Sequence, residues 1–354
     1  VYLSTGNADP NSNEFNSTVN NTAFYVSNQF QIVEKLKAVL GVRAEKFVQR
    51  HTGRDAIYAS GNTQDGISLN DEKVLDALDF FPSTNFIYAI NDNQNLRFSY
   101  SKTIARPSFK ELSYAQILDP VSNRTFNGGL FRYADWDGNL RETRIDNIDL
   151  RWELFLKKGE LFSVSTFYKK FEAPIELVRI PEAQTTNEFQ PRNVGDGTVL
   201  GAEIEFRKSL DFVTGRLNNF YLSGNVTLVK SSIDMTATEF NSRKNYQKNG
   251  QTVEDTREMS GQAPYMINLG LSYENAEAGI DGGLFYNVNG RTLTVVGGGL
   301  FPDVYYDPFH SLNLNMNKTF GKNKKSVFSF SVNNILGDVK ENFFTGFRAE
   351  NQYY

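Results

Sequence analysis

The side chains in this sequence best equipped for chemistry are paired carboxylates. Asp149 and Glu153, and Glu203 and Glu205, stand an even number of residues apart. On an extended strand the members of each pair share one face. Two carboxylates that close a pocket can cleave a glycosidic bond. Here they are interleaved with Arg151 and Arg207, which makes them ion-pair ladders along a strand. Asp135-Trp136-Asp137-Gly138-Asn139 offers oxygen ligands in the manner of a calcium loop. Its glycine comes too early for an EF-hand and no bidentate Glu follows at the required distance, so the segment reads as an Asx/Gly turn. The run Gly297–Gly299 lacks the strand–helix context of a phosphate loop and reads as a flexible link. No HExxH, GxSxG or P-loop pattern occurs. There is no cysteine, and His51 and His310 are the only histidines. A multi-histidine centre, a thiolate zinc site, a disulfide and a cysteine nucleophile are thereby excluded. The two histidines read as interfacial or loop residues. No enzyme, cofactor or metal site is expected, and a net charge of −4 argues against a nucleic-acid partner.

These side chains ride on a repeated pattern. From Ile145 to Leu156 the residues Ile148, Leu150, Trp152, Leu154 and Leu156 fall on one parity. Asn147, Asp149, Arg151 and Glu153 fall on the other. Successive side chains of a strand point to opposite faces, so this is a strand with one apolar and one charged face. The pattern recurs about a dozen times. It predicts strands at Thr22–Ile32, Leu36–Val48, Ser83–Ile90, Asn95–Ala105, Ile145–Leu156 and Leu161–Ala173. It predicts six more at Thr198–Lys208, Asn219–Ser231, Pro264–Glu274, Gly279–Asn289, Phe309–Thr319 and Ser326–Ile335. Residues 1–21 read as an exposed loop, and part of a further strand lies somewhere in 336–354.

The connections set the architecture. Short links of about 3–10 residues alternate with long ones of about 19–39, against about 4–6 in an ordinary soluble domain. The long ones are expected at 49–82, 106–144, 174–197, 232–263 and after Asn289, without helical periodicity. A meander in which every second connection is long places all long loops at one end, as in outer-membrane barrels. The strands, about 8–13 residues, match the ~9–11 that cross a bilayer at a tilt. No apolar run is long enough for a transmembrane helix. The fold class expected is all-β, an antiparallel transmembrane β-barrel meander with about 12 strands in this chain. A soluble sandwich is the alternative; it would bury the apolar parity and wet the charged one.

Several short pieces match a known family: Gly41-Val-Arg43-Ala-Glu45, then Leu96-Arg97-Phe-Ser-Tyr100 leading into Arg106-Pro107-Ser-Phe109-Lys-Glu111-Leu112. Gly201-Ala-Glu203-Ile-Glu205, Ala263-Pro264-Tyr265 with Asn268, and Val332-Asn333-Asn334-Ile335-Leu336 follow in order. In this order and spacing the chain resembles the barrel of TonB-dependent outer-membrane receptors, especially those of the Bacteroidetes group. That resemblance implies a barrel of about 22 strands filled by a plug domain. Plug, TonB box and closing strand are not recognisable here. Residues 1–354 therefore read as one partial barrel domain, its later part, and Thr22–Ile32 is not expected to pair with Ser326–Ile335.

By resemblance the function is active uptake of a scarce, bulky solute (siderophore, cobalamin, glycan or peptide class) across the outer membrane of a Gram-negative bacterium. The partners implied are outer-membrane lipid, the plug domain of the same gene product and the TonB complex, with a surface lipoprotein or other protein as a further candidate. Arg43, Glu45, Arg97, Asp149, Arg151, Glu153, Glu203, Glu205 and Arg207 are the candidate lumen- or plug-facing residues. Arg106, Phe109 and Glu111 are the candidate loop base, where Pro107 ends a strand. A passive pore and a non-transporting surface scaffold are the alternative functions.

Overall fold

The computed structural model describes residues 12–119, 124–180, 188–247, 249–298, 302–321, 325–345 and 352–353. Its main element is an antiparallel meander of twelve strands, each hydrogen-bonded to the next in chain order. They are β1 (Asn16–Val33), β2 (Leu36–Arg54), β3 (Ser68–Asn91), β4 (Gln94–Ala105), β5 (Thr143–Phe155), β6 (Leu161–Glu172), β7 (Gly197–Ser209), β8 (Phe220–Asp234), β9 (Tyr265–Asn275), β10 (Ile280–Asn289), β11 (Phe309–Phe320) and β12 (Ser326–Val332). Among the described residues β1 pairs only with β2 and β12 only with β11, so the two do not close a ring.

Because strand direction alternates, the connections 55–67, 106–142, 173–196, 235–264 and 290–308 all leave the same end of the sheet. The links 34–35, 92–93, 156–160, 210–219, 276–279 and 321–325 lie at the other.

The first loops are shorter than expected. Asn16–Asn21 is strand, and the connection expected at 49–82 shrinks to 55–67, because β2 runs on to Arg54 and β3 begins at Ser68. Their Asn, Asp, Glu and Lys side chains hide the alternation, but backbone pairing from Asn16↔Thr52 to Arg54↔Ser68 holds them extended. At 24 residues β3 is more than twice the ~9–11 needed to cross a bilayer. Conversely, β12 stops at Val332. Asn334 takes φ of 52° there, and its Nδ2 donates to the Asp338 carbonyl.

The burial of the two faces is opposite to that of a soluble protein. Leu150 and Leu200 on the apolar parity are 45% and 58% exposed. Glu45 and Glu153 on the charged parity are 6% and 8% exposed. A sandwich core would bury the leucines. A wall that meets lipid outside and polar groups inside leaves them bare.

The long loops fold together as a cap. Residues Gln116–Asp119, Arg124–Asn127, Ile175–Arg179 and Glu188–Asn193 form one small sheet, and Thr292–Val295, Asp303–Tyr306, Asn342–Thr345 and Gln352–Tyr353 form a second. The strands in the C-terminal stretch thus join the cap, not the wall. The two small sheets pack through Phe189, Val295 and Val304. Loop 106–142 packs Leu112, Tyr114, Leu130 and Leu140 onto Phe47 of β2 and Leu75 of β3, on the face that carries Glu45.

A helix not foreseen from periodicity, Ala237–Asn245, lies in loop 235–264. Its sequence is mostly polar, so no apolar stripe announces it. Thr236 Oγ1 accepts from the Glu239 N–H, which fixes its start.

Candidate functional site

The polar face carries an ion-pair ladder. Arg97 of β4 and Arg151 of β5 stand directly opposite each other. Glu153 takes Arg97 Nε at 2.6 Å and Arg151 Nε at 3.0 Å, and Arg151 Nη2 reaches Glu205 of β7 at 2.7 Å. Arg207 reaches Glu274 of β9 at 3.1 Å. On β2, Glu45 is held by Arg43 at 2.6 Å and by Arg106 at 2.5 Å. The structure thus joins seven of the candidate wall residues, Arg43, Glu45, Arg97, Arg151, Glu153, Glu205 and Arg207, into ion pairs. Asp149 and Glu203 lie on the same face without an ion-pair partner among the described residues.

From β8 onward the middle of this face is neutral. Asn225, Asn268 and Asn287 stand in register on β8, β9 and β10. Asn268 Nδ2 donates to Asn225 Oδ1 at 2.7 Å, and Asn287 Nδ2 to Asn268 Oδ1 at 2.8 Å. Glycines on this face admit aromatic rings: a Cβ on Gly201 would meet Phe167 at 2.2 Å.

At the loop base, Arg106 leaves β4, pairs with Glu45 and lies 4.1 Å over the Phe47 ring. Ser108 and Glu111 satisfy each other: Glu111 Oε2 accepts the Ser108 N–H and Ser108 Oγ accepts the Glu111 N–H. That reciprocal arrangement is a capping box and gives Glu111 a structural task. Phe109 is exposed.

Other segments singled out in the sequence resolve as follows. Asp137 Oδ1 accepts the Asn139 N–H and Gly138 has φ of 82°, an Asx/Gly turn as expected. Asp135 is drawn off to Arg192. His51 is a buried residue of β2, with Ser17 Oγ 2.8 Å from its Nδ1. His310 begins β11 beside the Tyr286 hydroxyl. Both are strand residues and not loop residues. Gly297 and Gly298 line a cavity, and Gly299 lies outside the described residues.

The cap holds what sequence patterns miss, since its contacts join loops far apart in the chain. Arg257 bonds Glu176 and Glu239, each at 2.6 Å, and Arg243 bonds Glu239 at 3.1 Å and Asp303 at 2.8 Å. All five side chains are largely buried. Burial opposes the charge on Arg257, but the Glu176 and Glu239 carboxylates outweigh it and raise its pKa. Tyr305 is held neutral by burial and by its bond to Glu258, well above the ordinary tyrosine range. Tyr133, whose hydroxyl accepts from Asn127 Nδ2, is pushed up to about 12 by burial and the nearby Glu188 charge.

A cavity of about 120 Å³ opens between four loops. Trp136 comes from 106–142, Arg179 and Arg192 from 173–196, Thr236 and Thr238 from the helix start, and Gly297 and Gly298 from 290–308. Convergence of loops on one cavity at one end of a rigid wall is the usual form of a ligand site.

The fold has close counterparts. It is similar to the copper transporter OprC, with TM-score 0.62 and 12% identity over 93% of this chain and 43% of that one. It is similar to the ferric citrate transporter FecA in its unliganded form, with TM-score 0.61 and 13% identity over 98% and 44%. The siderophore receptor PiuA from Acinetobacter baumannii gives TM-score 0.60 and 12% identity over 93% and 40%. At such identity the likeness is one of fold, and the chain spans less than half the length of these proteins. No curated protein sequence matches it. The family described as TonB dependent receptor-like, beta-barrel matches residues 2–335. That match covers the whole meander, and the chain belongs to the TonB-dependent receptor-like β-barrel family.

Proposed function

We propose that this chain forms part of the wall and the outer mouth of an active transporter in the outer membrane of a Gram-negative bacterium. The solute is scarce and bulky, and the energy comes from an inner-membrane complex through TonB. The observation that carries this is the reversed burial of the wall, leucines bare and glutamates covered. Outer-membrane lipid covers the apolar parity. The polar parity faces a lumen or a plug domain of the same gene product, so residues 1–354 are one part of a larger barrel domain. Arg43, Glu45, Arg97, Arg151, Glu153, Glu205 and Arg207 stiffen that wall through their pairs. Asp149 and Glu203, without ion-pair partners among the described residues, are the carboxylates left to meet the plug. Arg106 fixes the loop base, and exposed Phe109 is the residue there that can touch cargo or plug. Siderophore, cobalamin, glycan and peptide remain the solute classes, and a Bacteroidetes-type origin rests on the sequence motifs. A surface lipoprotein could share the capture step.

The test is uptake by cells carrying the complete gene product, with and without TonB. Labelled ferric siderophores, cobalamin, oligosaccharides and peptides are offered in turn. Accumulation of one class only in TonB-positive cells supports active transport. Accumulation independent of TonB turns the assignment into a passive pore.

A further inference from the structure

We propose that the link 210–219 is a membrane foot, with Phe212 and Val213 seated among the phospholipid head groups of the periplasmic leaflet of the outer membrane. This goes beyond the transport function and rests only on the wall crossing that membrane with its short links at the periplasm.

The link is unlike its neighbours. A hairpin closes with about 2–5 residues. The other five short links keep to that length, whereas this one has ten residues. The others expose Glu34, Asp92, Lys157, Glu277 and Lys325. Here Phe212 is 67% exposed and Val213 63%, more than Leu200 on the lipid side of the same hairpin. Two short turns, Leu210–Phe212 and Gly215–Leu217, hold the tip in that position. The Val213 N–H donates to the Leu210 carbonyl at 3.1 Å, and the Leu217 N–H to the Thr214 carbonyl at 2.9 Å. Asp211 lies 3.5 Å from Lys157 Nζ, which ties the link to the neighbouring one at 156–160. A ring and a branched side chain held bare by a fixed backbone call for an apolar medium.

Lys208 identifies that medium. In β7, Leu200, Ile204, Phe206 and Lys208 share the apolar parity, and Glu205 and Arg207 the charged one. The Lys208 ammonium lies 5.9 Å from the centre of the Phe212 ring and 2.6 Å from Glu160 Oε2. The ring therefore sits at the foot of the lipid-facing side of the wall and not under the lumen. A lysine whose stem runs along an apolar face and whose ammonium stays at the edge marks the boundary between hydrocarbon and head groups. At the same edge Phe220 of β8 and Tyr273 of β9 stand in register on the apolar parity, with ring centroids 4.8 Å apart. Aromatic residues hold that level in membrane barrels. Arg216, exposed on the link and without an ion-pair partner among the described residues, supplies a cation for a lipid phosphate. The occupant that fits is phospholipid, because the tip continues the face that lipid covers and adds a cation at head-group level.

The test attaches a fluorophore to a single thiol of the complete gene product, with any cysteine outside these residues replaced by serine. The protein is reconstituted into vesicles of phosphatidylethanolamine and phosphatidylglycerol. Val213→Cys reports the tip, Asn218→Cys, exposed on the same link, reports water, and Leu150→Cys reports the lipid side of the wall. Lipid with a nitroxide head group should quench the Val213 label several-fold more than the Asn218 label, and aqueous iodide should do the reverse. Phe212→Asn should lower the lipid quenching of the Val213 label several-fold and leave that of the Leu150 label unchanged. Thermal unfolding of each variant identifies any that has lost its fold, and Thr214→Cys, also exposed, replaces Val213→Cys if that variant fails. Equal iodide quenching at the tip and at Asn218 overturns the proposal. A tip label shielded from iodide and from nitroxide lipid alike also overturns it, since protein would then cover the tip. A Leu150 label quenched by lipid beside a tip label in water removes the foot alone, whereas a Leu150 label in water removes the membrane wall itself.

Discussion

Arg257 Nη2 lies 2.6 Å from Glu176 Oε2, although 81 residues separate them. Both side chains are buried, and the pair ties loop 173–196 to loop 235–264. Removing one partner of such a pair leaves an uncompensated charge, at about 3–5 kcal/mol. Glu176→Gln should cost the lower end of that range, since Arg257 keeps Glu239. Glu176→Leu with Arg257→Met should recover much of the loss. Hydrogen exchange of the cap amides reads both. Equal loosening in the single and double variants would show that the pair is not what ties the loops.

Tyr133 sets an alkaline limit. Its pKa, raised from about 10 to about 12 in the fold, means that the folded cap holds the phenolic proton more tightly than the unfolded chain does. Its stabilising contribution is present in full below pH about 10 and fades as the pH rises towards 12. Tyrosinate absorbance should show one ionisation in that upper window that Tyr133→Phe removes. A Tyr133 that titrates with the exposed tyrosines would contradict the burial argument.

Leu150→Arg and Leu314→Arg place a charge on the lipid side and should each cost roughly 2–4 kcal/mol at mid-bilayer. Asn313→Arg, on the opposite parity of β11, should be mild. Reversible unfolding from lipid vesicles measures all three. Comparable costs at positions 313 and 314 would mean that the register of β11 is inverted.

Because the chain has no cysteine, single introduced thiols report topology cleanly. Glu34→Cys, in an exposed short link, should be shielded in intact cells, and Asn62→Cys, in loop 55–67, should react with an impermeant maleimide. The reverse pattern would turn the barrel over.

Alternation along single strands was readable because each wall strand meets two different media, and Leu150 against Arg151 records that contrast in neighbouring positions. The short–long rhythm of connections was readable for the same reason. Where β2 and β3 rise beyond the apolar band, Leu75 turns inward onto the loop core and Glu72, Lys73 and Asp76 are exposed, so the apolar outer face that marks a wall strand fades over Ser68–Asp76. The helix Ala237–Asn245 is held by Glu239 and Arg243, whose partners Arg257 and Asp303 sit on other segments. No local pattern encodes that. The same applies to the cavity: Arg192 reads as one more charged residue until folding brings it beside Trp136 and the helix start. Of the paired carboxylates, Glu153 and Glu205 both bond Arg151, which stands two residues before Glu153 on β5 and reaches across β6 to Glu205, whereas Asp149 and Glu203 share the spacing without the partner.

The asparagine ladder from Asn225 to Asn287 has a consequence for the electrostatics of the polar face. Amide side chains bonded to one another carry no net charge and present dipoles of both senses along the strand rungs. Such a surface favours neither sign of charge, since each amide offers an acceptor oxygen and donor N–H groups. Any bias by charge on this face then comes from the ion-pair ladder that joins Arg97, Arg151, Glu153 and Glu205, and not from the asparagine rungs.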